Sequence, residues 1–175
     1  KAAESELGVI SILVNNAGIA EPKWISEIEN ADYDRLMNTN LKGAWLVARE
    51  VGRHMIKHGH GGKIINMASM AALRAENQLS LYSMAKSALI QMTRSMALEW
   101  ARHDIQVNAL APGYFETEMN SAYFKTELGQ EQINAYLRKR IGQPEDLDGV
   151  LLLLASGASD FMTGSTILID DGQSM

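Results

Sequence analysis

The sequence predicts one α/β domain in which helices cover both faces of a doubly wound parallel sheet. Four short apolar runs are spaced along the 175 residues, and most of them are continuous and rich in β-branched side chains. Continuous rather than alternating runs are typical of strands that are buried on both faces. The runs are Ile10–Val14, Lys63–Met67, Ile105–Leu110 and Ser165–Ile169.

Helical patterns separate the four predicted strands. The first two carry apolar stripes at helical spacing, and the second helix is expected from about Ser80 to His103. The third begins at Pro144, a favourable first-turn residue, and ends near Gly157. The stripes are Leu36, Ala44, Val47, Val51 and Met55, then Leu81, Ala85, Leu89, Met92, Met96 and Trp100. This alternation of strand and helix indicates right-handed crossovers and a layered sheet.

Composition excludes several classes of function. The net charge is −5 and no basic block occurs, so neither nucleic acid nor an anionic membrane is an expected partner. The chain has no cysteine, which excludes disulfides, a thiolate nucleophile and a cysteine-based zinc site. The longest apolar run, Val150–Ala155, is far shorter than the ~20 residues that span a bilayer. We therefore expect a soluble cytoplasmic protein.

Small, polar or turn-forming residues follow three of the four predicted strands. These segments are Asn15–Gly18, Ala68–Ser69 and Ala111–Gly113. In doubly wound sheets, ligands bind beyond the carboxyl ends of the strands. Any one loop can be rich in such residues, but three on the same sheet edge favour a ligand crevice there.

Tyr82 and Lys86 are the candidate acid–base pair. They lie four residues apart near the start of the second helix, so they share one helix face. A free phenol has a pKa of ~10 and is a poor base at neutral pH, whereas a neighbouring ammonium favours the phenolate. Ser69 follows a strand, and its hydroxyl could hold a carbonyl oxygen beside Tyr82. The Tyr–Lys spacing alone is a weak motif.

Asn40 occupies a core-facing position in the first apolar stripe. A buried amide needs hydrogen-bond partners. It could cap a broken helix, or it could hold a water molecule connected to Lys86. Both roles are compatible if the helix is interrupted at this residue.

Together these residues resemble the classical short-chain dehydrogenase/reductase family, whose motifs occur here in the same order over nearly the whole chain. The motifs are Asn15-Asn16-Ala17-Gly18, Asn40-x-x-Gly43, Ser69, Tyr82-x-x-x-Lys86 and Pro112-Gly113-x-x-x-Thr117. Asp170-Asp171-Gly172 is similar to the family's Asp-Gly-Gly with one substitution. The C-terminal tract, residues 140–172, resembles the branch of 3-oxoacyl-[acyl-carrier-protein] reductases and gluconate-type dehydrogenases.

The resemblance implies a Rossmann-like fold and an oxidoreductase that uses NAD or NADP on a secondary alcohol or ketone. Tyr82 would be the general acid in reduction and the general base in oxidation. Lys86 would lower the pKa of Tyr82 and bind the nicotinamide ribose, Ser69 would orient the substrate carbonyl, and Asn40 would hold the water of a proton relay. Cofactor contacts are implied for Asn15, Ala17, Gly18, Tyr82, Lys86, Pro112, Gly113 and Thr117.

Members of the family place a Gly-rich turn after their first strand, where the pyrophosphate meets a helix N-terminus. The printed sequence contains no such turn, and its first predicted strand resembles the family's fourth. We expect strands 1–3, about 70–80 residues, to be missing, which leaves NAD and NADP undistinguished and this chain inactive by itself. A truncated, non-catalytic scaffold or partner subunit is the alternative.

Residues 114–140 correspond to a lid over the substrate in the resembled family. Its apolar residues would either line the substrate or pack the lid on the core; they are Phe115, Met119, Tyr123 and Phe124. Lys125 or Arg138 could meet an anionic group. The segment Ala71–Ser80 would form the opposite wall, with polar side chains at Arg74, Glu76 and Asn77.

Two further expectations concern the surface. The resemblance implies a homotetramer built on the first two long helices, where Met96 and Trp100 would lie either at the subunit interface or in the core. His58 and His60 are interpreted as surface-turn residues, because two histidines without other ligands are too few for a metal site.

Overall fold

The computed structural model describes residues 2–118 and 120–175, and its centre is a parallel sheet of four strands in the order β1-β2-β3-β4. Met119, which we expected in the lid wall, lies outside the described residues. The strands are Ile12–Asn15 (β1), Gly62–Met67 (β2), Ile105–Pro112 (β3) and Thr166–Ile169 (β4). All four predicted runs therefore form strands, with ends that differ by one or two residues.

Seven α-helices connect and flank the strands in the described residues. They are Ala2–Leu7 (α1), Asn30–Met37 (α2), Ala44–His58 (α3), Ser80–Trp100 (α4), Ser121–Phe124 (α5), Glu127–Ala135 (α6) and Asp148–Ala155 (α7). None of them is long and apolar enough to cross a membrane.

Both faces of the sheet are covered by helices. On one face, Ile64 of β2 packs against Met55 of α3 and Met96 of α4 in a single buried cluster. On the other face, the next residue along β2, Ile65, packs with Leu154 of α7. Because successive strand residues point to opposite faces, this arrangement explains the continuous apolar runs. The predicted α/β class with a Rossmann-like parallel sheet is confirmed.

The first predicted helix is interrupted. A π-helix at Asn38–Gly43 separates α2 from α3 and contains the buried Asn40. The prediction that Val47 faces the core is wrong, since this residue is 47% exposed. The buried face of α3 is instead formed by small residues and one methionine. They are Ala44, Ala48, Gly52 and Met55.

The other two predicted helices also change character at their ends. The second is α-helical as far as Trp100 and finishes as the 3₁₀ turn Ala101–His103. The third begins as the 3₁₀ turn Pro144–Leu147 before α7 takes over. Because 3₁₀ turns share much of the periodicity of an α-helix over three residues, the sequence pattern does not separate the two.

Gly52 allows α3 and α4 to approach each other. A Cβ atom on Gly52 would lie 2.6 Å from Cη2 of Trp100, and two more ring carbons would be within 2.9 Å. We therefore expect Gly52→Ala to force the Trp100 ring to move and to lower the free energy of unfolding by about 1–3 kcal/mol. Urea unfolding of the two proteins measures this difference.

Gly149 provides the matched control for this substitution. It lies in α7, and no heavy atom lies within 4 Å of a Cβ added there. Since alanine is favoured over glycine within helices, Gly149→Ala is expected to raise the free energy of unfolding by about 0.5–1 kcal/mol. Equal losses in both variants would contradict the packing argument.

Candidate active site

The carboxyl ends of the strands converge on one edge of the sheet. Asn15 at the end of β1 is in register with Asn66 of β2, and Asn66 is in register with Ala109 of β3. Ser69 follows the end of β2, and Tyr82 lies in the first turn of α4. These predicted site residues therefore lie at the sheet edge where the strand ends predicted a ligand crevice.

Ser69 is held in place by the turn that it begins. Its backbone is extended and it caps the 3₁₀ turn Met70–Ala72, with the hydroxyl accepting a hydrogen bond of 3.1 Å from the backbone N–H of Ala71. The same hydroxyl is near enough to the Tyr82 phenol to lower its pKa. The structure thus brings two predicted site residues, thirteen positions apart, close together.

The pKa of Tyr82 lies above its ordinary value. Burial of the phenol is the largest cause, the hydrogen bond from Ser69 acts in the opposite direction, and the negative charge of Glu76 raises the pKa further. The sequence predicted a pKa lowered by Lys86, so the observed direction is different. The reason is the depth of the site, because desolvation disfavours the phenolate.

Lys86 is almost completely buried beside Tyr82. It is 4% exposed, and its Nζ atom lies 5.5 Å from the centroid of the Tyr82 ring. The ammonium donates a hydrogen bond of 2.6 Å to the carbonyl oxygen of Met67. Burial lowers the pKa of Lys86 to about 8, so the side chain still carries its charge at neutral pH, with two N–H donors left for a ligand.

Asn40 fastens the loop that follows β1. Its Nδ2 atom donates to the carbonyl oxygen of Ile19, and its Oδ1 atom accepts from the N–H of the same residue, both at 2.8 Å. A Cβ atom on Gly18 would lie 3.3 Å from Oδ1 of Asn40 and 3.5 Å from Nζ of Lys86. Asn40, Gly18 and Lys86 therefore meet at one point, and the amide is occupied by the loop backbone beside an interrupted helix.

A buried chain of amides and a hydroxyl supports the same edge of the sheet. Asn15 donates to the carbonyl oxygen of Ala44 and to Oδ1 of Asn66, at 3.1 and 2.9 Å. Asn66 in turn donates to Oγ1 of Thr93, at 2.9 Å, on the face of α4 that also carries Lys86. Both N–H donors of Asn15 are thus used within the protein. The polar residue in the middle of an apolar strand was the signal that could have identified Asn66.

The remaining predicted cofactor residues lie around the exits of β1 and β3. Pro112 ends β3 opposite Ile169, and the N–H of Gly113 donates to the carbonyl oxygen of Ile169 at 2.8 Å. Ala17 is exposed in the loop after β1. Thr117 is exposed farther along the chain and its N–H donates to Asn120, so the described structure does not bring it into the Ser69–Tyr82–Lys86 group.

Some residues of the lid segment are buried against the core and others are exposed. Phe115 and Phe124 are 8% and 4% exposed, so they pack the lid on the core, whereas Tyr123 remains 45% exposed. Arg138, a candidate partner for an anion, is paired with Asp171 at 2.9 Å. Lys125 is exposed.

Met96 and Trp100, the two candidates for a subunit interface, pack within the chain. Met96 is buried in the cluster between α3, α4 and the sheet, and Trp100 is partly buried against that cluster.

His58 is close to two potential ligands that the sequence did not reveal. His54 and Glu4 bring their ligand atoms within 4.8 Å of it. However, Nε2 of His54 accepts a hydrogen bond from the N–H of Ile10 at 3.0 Å, which places the ring proton on Nδ1, facing Glu4. A metal would need that nitrogen unprotonated, so the geometry favours a hydrogen bond from Nδ1 of His54 to Glu4. His60 lies in the exposed turn after α3.

A family model described as Enoyl-(Acyl carrier protein) reductase matches residues 1–174. The crystal structure of a short-chain type dehydrogenase/reductase from Mycobacterium marinum is 38% identical and superposes with a TM-score of 0.91, covering 99% of this chain and 68% of that one. The chain belongs to the short-chain dehydrogenase/reductase family. This family of oxidoreductases was the one that the motifs indicated.

Gluconate-type enzymes are among the relatives. 2-Dehydro-3-deoxy-D-gluconate 5-dehydrogenase of Dickeya dadantii (strain 3937) is 41% identical over 172 residues, which are 97% of this chain and 68% of that relative. The crystal structure of a gluconate 5-dehydrogenase from Burkholderia cenocepacia J2315, in complex with NADP and tartrate, is 41% identical with a TM-score of 0.93. It covers 98% of this chain and 68% of that chain. This short-chain dehydrogenase/reductase thus groups with gluconate-type members of its family.

Proposed function

We propose that this chain carries the acid–base and nicotinamide-side residues of an NAD(P)-dependent oxidoreductase that interconverts a secondary alcohol and a ketone. The observation that carries the proposal is the buried Lys86 ammonium 5.5 Å from the Tyr82 ring, with Ser69 near the phenol. Among the described residues this amine has one carbonyl partner, which makes its burial costly, and a ligand that accepts its remaining hydrogen bonds accounts for its position.

The residues present fit the nicotinamide and ribose half of such a cofactor. Two donors of Lys86 remain for ribose hydroxyls, and Gly18 leaves a space next to Lys86 and Asn40 that a Cβ atom would fill. When bound, the cofactor supplies or accepts the hydride. Pro112 and Gly113 are proposed to flank its carboxamide at the exit of β3, with Thr117 farther along. Ala17 is proposed to lie on the adenosine-ribose side, whereas Gly18, beside Lys86, is proposed to contact the nicotinamide ribose.

Tyr82 is proposed to donate a proton to the substrate oxygen in reduction and to accept one in oxidation. Ser69 would share that oxygen and hold the reacting carbon in position. The positive charge of Lys86 would favour the phenolate and so offset part of the burial that raises the pKa of Tyr82. For Asn40 the paired amide supports a positioning role for the Gly18–Ile19 loop, with the relay water remaining a prediction. Asn15, whose donors are both used, is proposed to support the cofactor loop.

The raised pKa of Tyr82 leads to a pH dependence. Since the phenol is protonated at neutral pH, kcat/KM for ketone reduction should be highest near neutrality and fall as the pH rises through the pKa of Tyr82. Alcohol oxidation needs the phenolate, so its kcat/KM should rise over the same range. Initial rates in both directions across a pH series test this prediction, and parallel pH profiles would contradict it.

The decisive experiment is an activity screen of the complete protein. NADH and NADPH are each offered with keto-sugars and keto-acids, acyl thioesters and simple ketones, and consumption of the reduced cofactor is measured. Because relatives of this chain act on gluconate derivatives, polyhydroxylated keto-acids are expected to give the highest rates. The absence of turnover with every pair, despite a cooperatively folded protein, would favour a non-catalytic scaffold or partner subunit.

A further inference from the structure

Glu76 is a carboxylate on the segment that joins Ser69 to Tyr82, and it belongs to none of the family motifs. It lies half-buried on the segment between Ser69 and α4. Its negative charge is close enough to the Tyr82 phenol to contribute to the raised pKa of that group, after burial and against the Ser69 hydrogen bond. The negative charge of Glu76 therefore also acts on a ligand that binds to Tyr82.

A rigid contact holds this carboxylate in place. The hydroxyl of Tyr114 donates a hydrogen bond of 2.6 Å to Oε2 of Glu76. Burial raises the pKa of Tyr114, and the Glu76 contact adds to this, so the phenol remains a donor. The Tyr114 ring lies between the rings of Phe124 and Tyr136, at centroid distances of 5.5 and 6.3 Å. Aromatic packing therefore limits the movement of the whole pair.

The C-terminal turn holds the backbone of Tyr114 through hydrogen bonds. Oε1 of Gln173 accepts a hydrogen bond of 2.6 Å from the N–H of Tyr114, and its Nε2 donates to the carbonyl oxygen of the same residue at 3.2 Å. The backbone oxygen of Gln173 accepts a hydrogen bond of 2.8 Å from Arg74. One buried residue, 3% exposed, thus links Tyr114 through its side chain to Arg74 through its backbone.

One oxygen of Glu76 is available to a hydrogen-bond donor of a ligand. In the described part of the chain, Oε2 accepts the hydrogen bond from Tyr114, whereas Oε1 accepts none from the protein and is not fully buried. A carboxylate only accepts hydrogen bonds, so it repels a carbonyl oxygen or an alkoxide and attracts a hydroxyl. The reacting oxygen is assigned to Tyr82 and Ser69, which leaves a hydroxyl on a neighbouring carbon as the group that Glu76 can bind.

We propose that Glu76 is a specificity-determining residue that selects substrates carrying a hydroxyl next to the reacting carbon, that is, vicinal diols and α-hydroxy ketones. The inference rests on the proposed function, because it assigns Tyr82 and Ser69 to the reacting oxygen. A substrate without the second hydroxyl leaves Oε1 desolvated and unpaired, which costs binding energy. Tyr114 and Gln173 are positioning residues in this arrangement.

The test compares two alcohols that differ by one hydroxyl, butane-2,3-diol and butan-2-ol, each oxidised by NAD(P)⁺ in the complete protein. The unsubstituted protein should prefer the diol in kcat/KM by about ten-fold or more, as expected for a hydrogen bond to a charged group. Glu76→Gln retains an oxygen for Tyr114 but replaces the charge with a weaker neutral partner. It should lower the diol-to-alcohol ratio by about ten-fold, and butan-2-ol oxidation should remain.

Two further variants separate specificity from folding. Glu76→Asp keeps the negative charge but withdraws it by one methylene, so the diol preference should fall while the pH profile of oxidation stays close to that of the unsubstituted protein. In Glu76→Gln the profile should move to lower pH, because a charge that raises the pKa of Tyr82 is lost. Glu131→Gln, an exposed change on α6, should alter neither quantity. If Glu76→Gln does not fold, the proposal is judged from the diol-to-alcohol ratio of Glu76→Asp alone.

The outcomes distinguish this inference from the function on which it rests. An unchanged ratio in the Glu76 variants, or an equal loss on both alcohols, would overturn the assignment of Glu76 and leave the alcohol–ketone chemistry intact. No oxidation of either alcohol or of the screened substrates by the unsubstituted protein would overturn both. A ten-fold fall confined to the diol supports both.

Discussion

Replacing Tyr82 with phenylalanine is expected to lower turnover of the complete protein by about 10²–10⁴-fold. The substitution removes only the hydroxyl that hydrogen-bonds Ser69 and leaves the half-buried ring beside Lys86. Cofactor affinity should change little, because the two free donors of Lys86 remain. Steady-state rates together with fluorescence titration of NADH or NADPH measure the two effects separately.

Tyr33→Phe is the matched control for this change. Tyr33 lies in α2 and is 46% exposed, so loss of its hydroxyl should leave turnover and thermal stability unchanged. Turnover by Tyr82→Phe equal to that of the control would refute the acid–base role. A parallel loss of cofactor binding would assign Tyr82 to the cofactor site rather than to proton transfer.

Replacing Lys86 with methionine is expected to change how stability depends on pH. Burial lowers the pKa of Lys86 from 10.5 to about 8. Between these values the unfolded chain binds a proton that the folded protein has released, so the free energy of unfolding rises with pH. At ~1.4 kcal/mol per pKa unit, the free energy of unfolding of the unsubstituted protein should rise by roughly 2–4 kcal/mol over this pH range, relative to that of Lys86→Met. Turnover of the variant should be lost.

Urea unfolding of both proteins at several pH values between about 7 and 10.5 tests this expectation. At each pH the free energies of unfolding of the two proteins are subtracted, because tyrosines and other lysines titrate in the same range in both. The change of this difference with pH is the result, because the variant also lacks the hydrogen bond to Met67 at every pH. Lys42→Met, an exposed substitution in the π-helix, should give a much smaller change. A flat difference for Lys86→Met would mean that the amine is solvated in the folded protein.

The strands were predictable from the sequence because burial on both faces requires consecutive apolar residues, which form a local sequence pattern. Adjacent apolar residues such as Ile64 and Ile65 within the run Lys63–Met67 are expected when helices cover both sides of the sheet, and α3 and α7 do so here. The π-helix changes the apolar pattern little, so the polar Asn40 within the stripe was the one indication of an interruption. Val47 was assigned to the core, but the buried face of α3 is formed by other residues and Val47 is exposed.

Contacts between distant residues account for most of what the sequence did not predict. Tyr114 is 38 residues from Glu76 and 59 residues from Gln173. No spacing rule connects them, because their proximity depends on the course of the chain after β3 and β4. The partner of Asn66 on α4, Thr93, was overlooked in the same way, although a polar residue inside an apolar strand was visible.

By itself the sequence determined the α/β class, the sheet edge that carries the candidate site residues, and the helix face shared by Tyr82 and Lys86. Each of these follows from local periodicity and from the rule that parallel strands end on the same side. Only the tertiary structure decided the direction of the pKa of Tyr82, the use of the Asn15 and Asn40 amides, and the position of Glu76 near the phenol. Burial and long-range hydrogen bonds control these properties, and both arise only when segments far apart in the chain are packed together.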